Sequence, residues 1–476
     1  HRSDPEAASP YAPTSRRFLN WLAIDVEALP EASDPDVQHY IGSVRDDLEA
    51  LRAKALVDYT GVAMVKAPAL KLCFAVLAGP RTEAFAAFVT AGGEPLRRFA
   101  IHEALVARYG RDPAAWPDDL RAGQLAAINA FSRTEARVIE FSMYLQWCAS
   151  EQLHAVALAA RAQGVRLYRD LAVGVESGGA EAWAAPEYIT SASVGAPPDL
   201  LNAQGQDWGL PPVSPTALER DAYAGFAALL AENMRDAGAL RIDHAMSLMR
   251  LFWIPRGGKP AEGAYVSYPF DDLLAVLVRE SARAHCIVIG EDLGTVPPGF
   301  RDRMAANHVL SYRILLFERT GDGGFLPPDD YPELALAATG THDLPPFAGW
   351  LEGSDIAIRE QLGLIDGWQA QHERDGRAGE VARLCDALRG GGDLGEDASS
   401  EAIVLAAHRY LARSPARIVM LRIEDALGER EPVNVPGTNS EYPNWRRKLP
   451  VDLETIASDG RLERFASALR ELRPRA

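Results

Sequence analysis

GALRID (residues 238–243) and CIVIGED (residues 286–292) decide how the rest of this chain reads. Each is a short apolar run that ends on acid: Asp243 in the first, Glu291 and Asp292 in the second. Runs of this length, rich in Val, Ile and Leu, suit strands buried on both faces, as in parallel sheets. Working outward, the pattern returns in GVRLYRD ending at Asp170, SYRILLFE at Glu318, LAATGTHD at Asp343, and RIVMLRIED at Glu424 and Asp425. The intervening stretches are long enough for helices, so the order is strand, loop, helix, repeated. An acid after a lone strand is an ordinary helix cap or solvated turn. Six in succession place carboxylates around one rim, and the C-terminal rim of a (β/α)8 barrel is where its active site is built.

Composition narrows the function. The chain has 476 residues, which suits one large barrel with insertions. Its net charge of −17 opposes nucleic acid and anionic membrane surfaces, whose contacts need clustered Lys and Arg. A neutral or cationic substrate is the easier guest. Cys73, Cys148, Cys286 and Cys385 lie far apart, without the paired spacing of a zinc site, and fit a reducing cytoplasm. No apolar stretch approaches the roughly 18 residues of a membrane span. The chain opens on His1, and HRSDPEAASPYAPTS reads as the middle of a loop, so a natural N-terminus is expected upstream.

Three regions follow from the texture. Residues 1–34 read as a loop segment of the catalytic barrel, and residues 35–163 as an inserted helical subdomain rich in Ala and Leu. Gly164 closes the last of those helices. Residues 164–476 carry the rim strands, with a long Gly-, Pro-, Ser- and Trp-rich loop at 172–215, a helix at 216–238 and helical insertions after Asp343.

Three acid-bearing motifs suggest chemistry. In RIDH, Arg241 and Asp243 are two apart on a strand and share a face. The guanidinium keeps the acid ionised, as a nucleophile must be, or else the two form a structural brace. Glu291, after CIVIG, stands where partial burial raises a carboxyl pKa and suits a general acid; a solvated Glu291–Asp292 turn is the plainer alternative. His342 and Asp343 serve one pocket only if their strand has already ended, which Pro345 and Pro346 enforce; a hydrogen-bonded structural pair is the other reading. Tyr11, Trp183, Trp208, Trp253, Tyr265, Tyr268, Tyr442 and Trp445 lie in the same loops. Sugar rings stack on aromatic planes, so aromatics beside carboxylates suit a glycan cleft, although each alone reads as a buried loop anchor. Two carboxyls, one neutral and one ionised, are the arrangement of glycoside chemistry.

The order R-x-D, G-E-D, H-D on successive strands resembles the α-amylase clan of retaining enzymes. Finer signatures resemble the amylomaltase group, the bacterial 4-α-glucanotransferases of glycoside hydrolase family 77. They are ASPYAPTSRRFLN at 8–20, LYRDLAVGV at 167–175, GAPPDLLNAQGQDWGLPP at 195–212 and ALRIDHAMSLMRLFWIP at 239–255. They continue with GAYVSYPFDDLL at 263–274, VIGEDLGTVP at 288–297, ATGTHDLP at 338–345 and VNVPGTNSEYPNWRRKL at 433–449. The resemblance implies an α/β fold, a (β/α)8 TIM-type barrel with helical insertions. It implies Asp243 as nucleophile, Glu291 as general acid and then base, and Asp343 as the acid that stabilises the transition state. Arg241, His342, Trp208, Tyr11, Asp170 and His244 are then substrate-binding, with residues 247–268 a flexible loop over the cleft. Maltooligosaccharides and other α-1,4-glucans are the implied partners, with no metal or organic cofactor. Family members carry two barrel strands before the SPY segment, so the barrel is expected to be incomplete here, its first two strands missing.

Transfer and hydrolysis share their first step. With water at ~55 M and a sugar acceptor at ~ a few mM, transfer must overcome roughly four decades, or ~5.5 kcal/mol. Aromatic acceptor subsites and exclusion of water by the two loops would supply it. An α-glucan hydrolase and an inactive glucan-binding fragment are the alternatives.

Overall fold

The computed structural model describes residues 4–198 and 204–474; residues 199–203, inside the GAPPDLLNAQGQDWGLPP signature, lie outside them, as do 1–3 and 475–476. The chain forms two compact units: His1–Lys54 with Asp58–Val288, and Ala55–Val57 with Ile289–Ala476.

The first unit opens with helices, among them Pro35–Ser43, Tyr59–Ala75, Pro80–Tyr109 and Ala136–Ala162. Asp34 and Asp58 cap two of them, each side chain accepting from a first-turn backbone N–H (Asp36 and Gly61). Pro80–Tyr109 bends at Gly93, whose φ of 52° only glycine adopts at no cost, just before Pro95. These helices bury Phe74, Phe85, Leu96, Phe99, Tyr144 and Trp147, and Arg81 lies 4.0 Å over the Trp147 ring. Among the described residues no single helix is long and apolar enough to cross a membrane.

Gly164, at φ 72°, ends the last of the long helices, and the chain enters β1 (Leu167–Leu171). The remaining strands of this unit are β2 (Ser193–Ala196), β3 (Gln206–Leu210), β4 (Ala237–Ile242), β5 (Arg250–Ile254) and β6 (Ala264–Ser267). Strands β1 and β4 run parallel, with Asp170 opposite Arg241 and Leu171 opposite Ile242. Strands β3, β2, β5 and β6, in that order, make a separate antiparallel sheet. This corrects two expectations. The 172–215 loop contains β2, β3 and the helix Ala180–Ala184, and the 247–268 loop is largely the hairpin of β5 and β6. SVGA and QDWGL are too short and too polar to register as strands alone; pairing with the apolar RLFWI of β5 makes them so. The helix expected at 216–238 is broken at Ala222 and Tyr223, both in the left-handed region (φ 51° and 63°), into Pro215–Arg220 and Ala224–Met234.

The unit boundary falls within β7 (Ile287–Gly290). The second unit continues with β8 (Leu310–Ile314), β9 (Ala335–Ala338) and β10 (Ile418–Val419), which pair in parallel from β7 through β10. β9 is buried at every residue, as a strand covered on both faces must be. The acids do not all sit at strand ends. Asp170 is inside β1, Glu318 lies past the end of β8, and Glu424 and Asp425 belong to the helix Ile423–Leu427.

Candidate active site

In the first unit the site is built around one guanidinium. Arg241 sits on β4 and Asp243 follows the strand, so both leave the sheet on the same side. Arg241 Nη2 lies 2.8 Å from Asp243 Oδ1, while Nη1 donates to both oxygens of Asp170 across the β1–β4 pair, each at 2.8 Å. The Arg241 side chain is 7% exposed and that of Asp243 19%. The cation is thus covered while the Asp243 carboxylate keeps a solvent-facing side. Tyr11 donates its hydroxyl to Asp170 Oδ2. Burial, then the Asp170 charge, push the Tyr11 phenol far above its ordinary pKa, so it remains a neutral donor.

His244, directly after Asp243, takes a left-handed conformation (φ 47°) that turns the chain out of the strand. Desolvation and the nearby Arg250 charge lower its pKa to about 4, so the ring is neutral near pH 7. The Trp208 ring meets it edge-on at 5.2 Å, and Trp208 Nε1 donates to Gln206 Oε1. A cavity of about 480 Å³ opens between Trp208, Ala12, Arg111 and Glu176, within the size range of small-molecule sites.

In the second unit, Glu291 and its neighbour Asp292 follow β7 and are both buried, so they are not a solvated turn. Asp292 accepts from Ser311 Oγ (2.6 Å), Tyr312 N (2.9 Å) and Arg301 Nε (2.7 Å), which ties the end of β7 to β8. Glu291 Oε1 accepts from Leu293 N at 2.7 Å. β9 ends at Ala338, well before His342 and Asp343, so both side chains emerge from irregular backbone. Asp343 Oδ1 accepts from Asn434 Nδ2 at 2.6 Å, Oδ2 lies 3.4 Å from His342 Nε2, and the His342 ring packs on Trp445 at 5.2 Å.

Reading residues from sequence missed Asn434. It stands in the quoted VNVPGTNSEYPNWRRKL stretch, but an amide has no charge or spacing signal of its own. Among the eight loop aromatics, Trp183 and Tyr442 are anchors rather than cleft walls. Both are buried, with Trp183 Nε1 donating to Leu120 O and Tyr442 Oη to Pro432 O. Tyr268 Oη likewise donates to Val213 O.

In each unit carboxylates stand at or beyond the ends of parallel strands, and in the first unit one is charge-paired to a covered arginine with aromatic rings nearby; this is the arrangement of a parallel β/α enzyme. Residues 1–454 match the family model described as 4-alpha-glucanotransferase. A 4-alpha-glucanotransferase of Mycobacterium tuberculosis is 40% identical over 98% of this chain and 67% of the relative, and one of Haemophilus influenzae 36% over 97% and 70%. Amylomaltase from Corynebacterium glutamicum superposes with a TM-score of 0.88 at 32% identity, covering 97% of this chain and 67% of that one. Amylomaltase from Streptococcus agalactiae, solved in complex with acarbose, has the same fold at 19% identity (TM-score 0.80, 100% and 89% covered). The chain belongs to the 4-alpha-glucanotransferase family, glycoside hydrolase family 77.

Proposed function

We propose that the enzyme cleaves an α-1,4-glucan and passes the glycosyl segment to the 4-hydroxyl of glucose or of another glucan, by double displacement with retention. The parallel strands are read as part of a (β/α)8 barrel of the α-amylase clan, with residues 35–163 as its helical insertion. A carboxylate oxygen of Asp243 attacks the anomeric carbon as the glycosidic C–O bond breaks, and Glu291 gives its proton to the departing oxygen. The product is a glycosyl ester on Asp243. In the second step the acceptor hydroxyl attacks the same carbon and its proton passes to Glu291. The ester bond breaks and both carboxyls are restored. Asp343 holds sugar hydroxyls in the distorted transition state, with Asn434 and His342 fixing its oxygens. Arg241, Tyr11, Asp170, His244 and Trp208 form the sugar-binding surround.

The observation that carries this reading is the bridge from Arg241 to Asp170 and Asp243, which gives an anionic nucleophile a fixed counter-charge. Incubation with maltotriose tests it. Glucose should appear together with maltooligosaccharides longer than the substrate. Growth of reducing ends without longer products marks a hydrolase instead, and binding without turnover a non-catalytic glucan-binding chain.

A further inference from the structure

Asp425 does not stand on a rim. It lies inside the helix Ile423–Leu427 and is buried, as are Thr339 and His408 beside it. Its Oδ2 accepts from Thr339 Oγ1 at 2.7 Å and from His408 Nε2 at 3.1 Å, and its Oδ1 accepts from the backbone N–H of Phe347 at 2.7 Å. Thr339 is the first residue after β9 and Phe347 the first of the helix Phe347–Glu352. One carboxylate therefore grips both ends of the irregular segment that carries His342 and Asp343. Arg422, one helical turn earlier, grips its middle: Nη1 donates to Pro345 O at 3.1 Å and Nη2 to Leu344 O at 3.3 Å. Gly340 permits this approach, because a Cβ there would lie 2.5 Å from Arg422 Nη1.

Asn434 and Trp445 hold the Asp343 and His342 side chains, while Asp425 and Arg422 hold the backbone that carries them. Pro345 and Pro346 supply no N–H, and within the segment Leu344 N donates to Thr341 O and Asp343 N to Thr341 Oγ1, each at 3.2 Å. Burial by itself would raise the Asp425 carboxyl. The His408 hydrogen bond, the Arg422 charge and the Phe347 N–H outweigh it and hold the group below its usual range, so the grip is made by an anion.

We propose that Asp425 is a positioning residue, which sets where Asp343 presents its carboxylate by fixing the two ends of the Thr339–Phe347 segment. The inference rests on the reading of Asp343 as part of the catalytic machinery. A misplacement of about 1 Å at such a group costs on the order of 100-fold in rate, so a clamp outside the cleft has leverage on turnover.

A double-mutant cycle separates positioning from general stability, with maltotriose turnover and thermal unfolding both measured on Asp425→Asn, Asp343→Asn and the double variant. Asp425→Asn should lower kcat at least about tenfold with little change in KM. In the Asp343→Asn background the same change should cost little further activity, while the losses in Tm still add. Multiplicative losses of activity, or an Asp425→Asn enzyme with unchanged kcat, would overturn the positioning role and leave the catalytic reading intact. Full activity in Asp343→Asn would overturn both. Should Asp425→Asn fail to accumulate as folded protein, Thr339→Val, which removes one of the three hydrogen bonds, takes its place in the cycle.

Discussion

Arg241 holds two carboxylates at once, Nη1 on Asp170 and Nη2 on Asp243, and lysine has no geometry to reproduce that. Arg241→Lys keeps the charge but loses the fork, and kcat on maltotriose should fall on the order of 100-fold. Tyr11→Phe removes only the hydroxyl on Asp170 and should cost less. The same steady-state assay checks the order. His244 predicts a pH effect on stability with a definite sign. Its pKa is about 4 in the fold against an ordinary value near 6.5. Between these values the unfolded chain binds the extra proton, so stability falls as pH drops from about 6.5 to about 4. Unfolding midpoints across that window should decline less steeply in His244→Asn than in the parent. Equal slopes would contradict the assignment. At this scale the sequence was partly readable. Arg241 and Asp243 share a strand face by spacing alone, whereas nothing in RIED says that Asp425 turns inward. Burial is set by what packs against the helix, here Thr339 and His408, which are distant in sequence.

The elements show where pattern reading gives out. β4 and β7 are visible because buried parallel strands are continuously apolar, and their ends locate Asp243 and Glu291 to the residue. β2 and β3 have no such signature. Their strand character comes from pairing, and Gly195 shows how close that pairing is: a Cβ would come within 2.0 Å of Gln206 O. Gly195→Ala should therefore force β2 from β3 and destabilise the enzyme by about 1–3 kcal/mol, read as a lower thermal midpoint. The β5–β6 hairpin carries Tyr265, whose ring meets Phe252 at 5.2 Å and lies under Arg250 at 4.0 Å. If this hairpin keeps water from the glycosyl ester, shortening its 255–263 connection should raise the share of hydrolysis over transfer. The ratio of new reducing ends to glucose released measures that share.

At the scale of the whole molecule, a net charge of −17 meets a neutral substrate. Maltooligosaccharides feel no long-range field, so kcat/KM should change little with added salt, unlike an enzyme that steers a charged substrate. What distinguishes this family's reaction from hydrolysis is bond accounting: transfer conserves the number of glycosidic bonds, and hydrolysis lowers it. The most direct test follows from that. Given maltotriose, the enzyme should form glucose and chains longer than maltotriose while total reducing ends stay constant, and Asp243→Asn should abolish both products. A steady rise in reducing ends with no longer chains, or an Asp243→Asn enzyme that still redistributes glucose units, would contradict the account.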